Sequence, residues 1–428
     1  MERFWMLWDV VVSLLVVGLG LSLVLRWVSA CGAPLGERFR APALTEKNGC
    51  EVDRRTCLQV FGAALGVRLA VFLLGALLAA LIGELEGKGL LGIWERWDGW
   101  HYVRLVELGY DGYVENGQHL FLVFYPLYVW ITRLVRLVVG DTLVSGLLVS
   151  WLSYAGGCVY LFRLTALDYG KGVAWRTVWY LSIFPYAFFF GSMMTEGLFF
   201  LTTAAALWHI RRHQWYAAGL WGVLAALTRM HGLLLIGVAA AELCVEQRLF
   251  APDGRSLWVR VKGILRKLPA LLLPLLGAAG YLLLNYAVDG DPFAFTVHQE
   301  HWSQGFLWIS RTLAYLVRNA LTYPTVSVRW ELWIPEVLLF PLFFALLWWA
   351  GKRCRSAWTL YAYVTLVLDY SLSWLLSAGR YLSCALPFFL FAALLTDGKP
   401  RRSAALSAGM LVCFVLLLTG YLAGGQIM

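Results

Sequence analysis

The chain has 428 residues, of which 60 % are hydrophobic and only 14 % charged, with a mean hydropathy of +0.68. Ordinary globular chains carry roughly 45–50 % apolar and 25 % charged residues, so a disordered, collagen-like or disulfide-stapled protein is excluded. The net charge of +9 acquires meaning only when the basic residues are sorted by side of a membrane.

Apolar runs long enough to cross a bilayer, roughly 17–25 residues, or nearly so, follow one another along the chain. They lie near residues 4–28, 58–82, 142–162, 174–190, 198–210, 268–288, 334–350, 357–376, 381–395 and 404–422. Two further regions are ambiguous. Residues 120–139 are apolar but contain Pro126, Arg133 and Arg136, and residues 215–243 are interrupted by Arg229, His231 and Gly232. The reading is an all-α polytopic membrane protein of about 10–12 membrane helices, short and re-entrant ones included. Residues 1–30 form an N-terminal anchor helix, 31–57 a cytoplasmic loop and 58–396 the main membrane domain, with external loops at 84–119 and 289–331; residues 397–428 form a C-terminal helix. The segment Val28-Ser29-Ala30-Cys31 has the look of a lipobox, but Arg26 and Trp27 break the apolar run before it, so residues 4–28 read as a retained anchor. The eight cysteines lack the paired short spacing of a zinc site and read as buried bystanders.

Positive charge arbitrates the ambiguous regions. If residues 120–139 lie along the surface and residues 215–243 form a hairpin of half-helices, six loops carrying 23 of the 35 Lys and Arg face the cytoplasm, against 11 on the other side. Under this arrangement five separate segments bring acids, bases and aromatics to the non-cytoplasmic face. A transporter more often places such groups near the midplane on repeated, broken helices, and the sequence shows no internal repeat.

The first external loop reads Trp94-Glu95-Arg96-Trp97-Asp98-Gly99-Trp100-His101-Tyr102. In a helix, Asp98 shares its face with His101 and Tyr102, and a carboxylate held against aromatics is suited to general-base work. A solvated acid on an aromatic anchor helix is the plainer reading. Further on, Phe124-Tyr125-Pro126-Leu127-Tyr128 bends beside that loop. Thr195-Glu196 then opens an apolar helix, either as a simple cap or as an acid that binds a metal or an acceptor sugar. Arg229, in Thr228-Arg229-Met230-His231-Gly232, costs at least ~2.5 kcal/mol inside hydrocarbon and so calls for a cavity and an anion. Arg380 is a second such guanidinium, with Tyr381 beside it, and its planar fork suits a phosphate; snorkelling to the headgroups is the alternative for both. Asp289-Gly290-Asp291-Pro292 reads as a turn, so Asp291 is either structural or a ligand. Gln299 and Trp302 supply the amide and indole that sugars commonly meet. His298 and His301 are spaced for metal ligation but lack a nearby third ligand.

Taken in order, Arg96-Trp97-Asp98-Gly99-Trp100-His101-Tyr102, Phe124-Tyr125-Pro126-Leu127-Tyr128, Phe184-Pro185, Thr195-Glu196-Gly197-Leu198-Phe199, Thr228-Arg229-Met230-His231-Gly232, Gly290-Asp291-Pro292-Phe293-Ala294-Phe295 with Gln299 and Trp302, and Arg380-Tyr381 resemble the PIG-V family (GPI mannosyltransferase 2-like) of type C membrane glycosyltransferases. The resemblance runs from about residue 58 to residue 395. It implies inverting transfer of mannose, or another hexose, from a polyprenyl-phosphate-sugar donor to an acceptor glycan or glycolipid on the non-cytoplasmic face. Asp98 matches the family's first-loop catalytic acid. Glu196, Arg229, Gln299, Trp302 and Arg380 match supporting positions, with Arg229 and Arg380 taken as donor-phosphate ligands. His101, Tyr102, His231, Asp291 and Tyr381 complete the residues expected to meet substrate or metal. The resemblance fixes no cofactor, and a divalent Mg or Mn is the one the chemistry leaves room for. Met230-His231 and Gly197 depart from the family pattern, which commonly has Ser or Pro after the arginine and Ser at the latter position. No nucleic acid is expected as a partner. The location is the cell membrane of a prokaryote or the ER membrane of a eukaryote. A lipid or polysaccharide transporter using the same basic cavity is the competing reading.

Overall fold

The structure, a computed structural model, describes residues 2–42, 49–301 and 303–428. Its helices are α1 (Glu2–Ala30), α2 (Arg54–Leu81), α3 (Leu85–Gly92), α4 (Asp98–Leu108), α5 (Pro126–Val139), α6 (Thr142–Tyr169), α7 (Lys171–Ser182), α8 (Glu196–Arg211), α9 (Trp215–Thr228) and α10 (Leu234–Glu246) in the first part of the chain. The remainder holds α11 (Leu257–Leu272), α12 (Pro274–Asp289), α13 (Ala294–Glu300), α14 (Ile309–Thr322), α15 (Val326–Val328), α16 (Ile334–Ala350), α17 (Ser356–Asp369), α18 (Ala378–Ser383), α19 (Pro387–Leu395) and α20 (Pro400–Leu422). Among the described residues, six helical stretches are long and apolar enough to cross a membrane: Arg3–Ala30, Arg54–Leu81, Thr142–Tyr169, Leu257–Asp289, Val326–Ala350 and Pro400–Leu422. The chain is an integral, multi-pass membrane protein.

Local chemistry sets the helix limits. The Asp53 carboxylate accepts from the amide of Thr56 (3.1 Å) at the start of α2, and that of Asp141 accepts from Val144 (2.8 Å) at the start of α6. α6 is the most buried of the six spans and packs on α2, α7 and α8.

Basic loops distant in sequence gather at one end of the bundle. The Cys50 amide donates to the Ala166 carbonyl (3.0 Å) and that of Phe250 to Cys31 (2.9 Å). Lys171 pairs with Asp53 (3.1 Å), Arg176 with Asp397 (2.8 Å), and Asp168 with both Arg211 (2.6 Å) and Arg355 (3.3 Å). These contacts draw on all six of the segments that carry the positive-charge excess. At the opposite end, Trp308 donates to Ser13 (2.8 Å), Gln304 to the Trp374 carbonyl (3.1 Å), and Arg380 meets Asp98.

The ambiguous regions resolve physically. Residues 120–139 make a short 3₁₀ turn and then α5, which at 14 residues is roughly 21 Å long and short of a ~30 Å hydrocarbon core. One face of α5, with Leu127, Tyr128 and Thr132, is buried, while Leu134, Leu137 and Val138 lie exposed. Residues 215–243 do form two half-helices, α9 and α10. His213, just before α9, sits 3.5 Å from Glu242 and 3.4 Å from Glu246 near the end of α10, so the two run back on each other. Their turn depends on Gly232, where a Cβ would come within 2.3 Å of the α9 backbone at Ala225 and Ala226.

Three expected spans are shorter than the hydropathy suggests. The run 174–190 stops at Ser182 and resumes as a 3₁₀ turn (Ala187–Gly191) because Pro185 lies between. The run 381–395 divides at Pro387 into α18 and α19, and the run 357–376 ends at Asp369. Beyond α20, residues 423–428 fold back at the end that holds Asp98, with the Gln426 amide donating to Glu331 (3.0 Å) and Met428 lining the cavity described next.

Candidate active site

Helix ends build the site. Asp98 is the first residue of α4, and directly before it Trp97 holds φ +50° and ψ −125°, a conformation that favours glycine. Non-glycine residues in such regions cost about 1–3 kcal/mol and cluster at functional sites. Glu196 is the first residue of α8, and Arg229 occupies the break between α9 and the 3₁₀ turn Met230–Leu233. Arg380 lies in α18, whose first amide, from Ala378, donates to the buried Glu336 carboxylate at 3.0 Å.

These four charged residues form one connected array. Arg380 Nη2 lies 2.7 Å from Asp98 Oδ2, and its Nε lies 3.0 Å from Glu196 Oε1. Arg229 contacts the same Glu196 oxygen and donates from Nε to the Thr195 hydroxyl at 2.9 Å. Glu196 is fully buried, and its second oxygen has no hydrogen-bond partner in the structure. Close packing fixes its position. At the adjacent Gly197 a Cβ would approach the Ser150 carbonyl oxygen on α6 to 2.5 Å, so the serine expected from the family pattern does not fit here.

Asp98, Tyr102, Arg229, His231, Gln299, Arg380 and Tyr381 all line a single cavity of about 620 Å³, with Glu196 behind its wall. That volume falls within the range of ordinary ligand pockets, about 300–1,000 Å³. Burial, reinforced by the Asp98 charge, holds the Tyr102 hydroxyl protonated well above its usual range.

Two expected members stand apart. His101 turns from Asp98 toward the loop that follows α4, with Nδ1 3.0 Å from the Tyr113 hydroxyl and its ring stacked on Phe121 at 4.3 Å. The i+3 spacing alone gave it to the Asp98 face, but the ring finds its partners in Tyr113 and Phe121. Burial there lowers its proton affinity below that of an ordinary imidazole. Asp291 is a turn residue, its side chain accepting from the Phe293 amide at 2.9 Å. Trp302 lies outside the described residues. His301 borders the cavity, whereas His298 faces Asp289 at 2.7 Å. Among the described residues no group of three His, Cys, Asp or Glu side chains is placed to hold a metal ion. Of the carboxylates at the site, Asp98 and Glu196 face guanidiniums and Asp369 faces His231.

Sequence reasoning missed Asp369 and Glu336. Asp369 is the last residue of α17, 1 % exposed, and borders the cavity with Oδ1 2.9 Å from His231 Nε2. Its signal was a lone carboxylate inside an apolar run, which membrane helices seldom carry without a use. Glu336 gave no comparable signal, because its partner is a backbone amide 42 residues away.

Comparison with known proteins fits this geometry. Residues 75–272 match the family model described as mannosyltransferase (PIG-V). The PIG-V match includes Asp98, Glu196 and Arg229 and ends before Gln299, Asp369 and Arg380. No curated protein matches the chain. Among solved structures, ArnT from Cupriavidus metallidurans, bound to undecaprenyl phosphate, aligns with a TM-score of 0.51 at 18 % identity, over 84 % of this chain and 64 % of ArnT. The chain thus spans less than two thirds of that enzyme's length, and the likeness shows a type C glycosyltransferase fold. The oligosaccharyltransferase of Archaeoglobus fulgidus aligns less closely. Its apo form gives a TM-score of 0.45 at 14 % identity, over 85 % of this chain and 56 % of that one. AglB from the same organism, in complex with an inhibitory peptide and a dolichol-phosphate, gives 0.43 at 13 %, with the same two coverages.

Proposed function

We propose that the protein is an inverting glycosyltransferase that moves mannose from a polyprenyl-phosphate-mannose donor to a hydroxyl of a glycan or glycolipid, on the non-cytoplasmic face of its membrane. The observation that carries this reading is that Asp98 and Arg229, 131 positions apart in the chain, open into one cavity and are joined through Arg380 and Glu196. The PIG-V match supports the sugar, and the undecaprenyl phosphate bound to ArnT supports the lipid phosphate. The gathering of basic loops at the far end supports the side.

In this mechanism Asp98 takes the proton of the acceptor hydroxyl while the acceptor oxygen attacks the anomeric carbon. The bond from that carbon to the phosphate oxygen breaks, its electron pair leaves with the polyprenyl phosphate, and Arg229 and Arg380 stabilise the growing negative charge. One base suffices for inversion, unlike the paired carboxylates of retaining hydrolases. No step is assigned to a metal. The prenyl chain lies in an apolar groove of about 490 Å³ between α10 and α17, lined by Leu233, Ile236, Val238, Leu360 and Val364, which meets the cavity at Tyr361.

The deciding experiment is Asp98→Asn assayed in detergent with synthetic donor lipid. Loss of a general base lowers turnover by about 10²–10⁴-fold while donor binding persists. Transfer near the parental rate refutes the base. Donor binding without any sugar transfer by the parent protein favours a transporter.

A further inference from the structure

α17 carries a polar stripe along one face of a largely apolar helix. Tyr361, Thr365 and Asp369 stand at i, i+4 and i+8, hence on one helix face, and all three border the cavity. Thr365 and Asp369 are 5 % and 1 % exposed; the threonine hydroxyl and Asp369 Oδ2 have no hydrogen-bond partner, and Oδ1 meets only the His231 ring among the described residues. The basic side chain beside Asp369 is His231, whose Nε2 approaches one oxygen at 2.9 Å. A carboxylate has about four lone-pair sites, and buried polar atoms are nearly always satisfied. The unmet acceptors of Asp369 therefore call for donors from whatever enters the cavity.

We propose that the α17 stripe is a sugar-hydroxyl subsite, in which the two oxygens of Asp369 accept from a pair of adjacent ring hydroxyls. This deepens the transferase reading and rests on it. Phosphate is the wrong partner, since it would face the Asp369 carboxylate, and the cavity supplies Arg229 and Arg380 for it. A polyol is the right one, because its hydroxyls donate and its ring can rest on aromatic faces such as Tyr361 and Tyr381. His231 positions the carboxylate. The ring belongs either to the donor sugar or to the acceptor, and the two are separable by experiment.

The test uses the full-length protein in detergent, with a short-chain polyprenyl-phosphate-mannose, the bare polyprenyl phosphate of the same chain, and octyl α-mannoside as acceptor. The parent and Asp369→Asn are compared, each also with deoxy analogues lacking one ring hydroxyl. Loss of hydrogen bonds to a charged acceptor weakens sugar recognition by about 10- to 100-fold, while the bare phosphate binds as before. If the preference for phosphomannose over bare phosphate collapses, the donor sugar occupies the subsite; if instead KM for octyl mannoside rises, the acceptor does. In either case the variant no longer discriminates against the deoxy analogue that the parent rejects, a readout that a merely structural carboxylate would not move. Unchanged sugar preference and unchanged KM overturn the proposal, as does an equal loss for bare phosphate. Should Asp369→Asn fail to fold, Thr365→Val undergoes the same comparison, with the same loss of discrimination expected. A failure of the transferase reading itself appears in the parent, which would then bind no lipid phosphate or transfer no sugar.

Discussion

Glu196→Gln makes two effects pull in opposite directions, and their signs follow from the charge pattern. Two carboxylates, Asp98 and Glu196, face two guanidiniums, Arg229 and Arg380, so the array is neutral as it stands. A donor phosphate reaching both arginines lies about two hydrogen-bond lengths from Glu196, roughly 6 Å, where the repulsion at an effective dielectric of ~20 is about 3 kcal/mol. Neutralising Glu196 removes that repulsion and leaves a net positive array, so bare polyprenyl phosphate binds about 10- to 100-fold more tightly. The same change strips Arg229 of the only carboxylate it contacts among the described residues, and removing one partner of a buried pair costs about 3–5 kcal/mol of stability. Turnover falls as well, because Arg380 and Arg229 lose the common anchor that sets their spacing. The assay measures affinity for bare polyprenyl phosphate and for the uncharged polyprenol, together with thermal unfolding of the same preparations. Tighter phosphate binding with unchanged polyprenol binding, in a protein of lower melting temperature, is the expected pattern. If the folded variant binds the lipid phosphate no more tightly than the parent, the arginines do not meet the phosphate and their assignment is wrong.

Three further outcomes follow from single contacts. Glu336→Ala leaves the Ala378 amide unmet at the head of α18, which costs about 1–3 kcal/mol and lowers transfer by displacing Arg380. Glu336→Gln, which keeps an acceptor oxygen, restores most of the activity in the same assay. Gly232→Ala drives a methyl group into the α9 backbone at Ala225 and Ala226, an overpacking worth about 1–3 kcal/mol, seen as a lower melting temperature with transfer reduced because Arg229 and His231 flank the turn. Cysteines introduced at Trp100 and Ser256 react with impermeant maleimide from opposite sides of sealed vesicles, and labelling of both from one side would overturn the topology.

The sequence was most legible where chemistry and periodicity coincide. An arginine in an apolar segment demands an anion and a cavity, and Arg229 has both; Asp98 in its tryptophan-rich loop opens into the same space. The basic loops gather at one end of the bundle, as the charge asymmetry of the sequence leads one to expect. Helix lengths were less legible. Hydropathy averages over a window and cannot see that Pro185 lies in the break after α7 or that Pro387 opens α19, whereas backbone sterics respond to the single residue. Side-chain direction was less legible still, as His101 shows, since helical spacing gives a face and the loop that returns beside it decides which partner is met.

The residues that were left open between two roles or missed altogether have a common physical origin. Glu196 could not be distinguished from a helix cap, because its role depends on two guanidiniums brought from 33 and 184 positions away. Glu336 acts on a backbone amide, a partner that every residue carries and no sequence pattern marks. Asp369 stands in a run whose neighbours are apolar, so its charge is diluted in any average, and its significance emerges only when α17 is seen to turn that face toward His231 and the cavity. In a membrane bundle the informative polar residue is therefore the isolated one. Hydrocarbon leaves it no solvent to fall back on, so each such group must find a partner in the fold or await one from the substrate. Arg229 and Arg380 have found theirs in Glu196 and Asp98; the unmet oxygens of Asp369 mark where a substrate hydroxyl has room to enter.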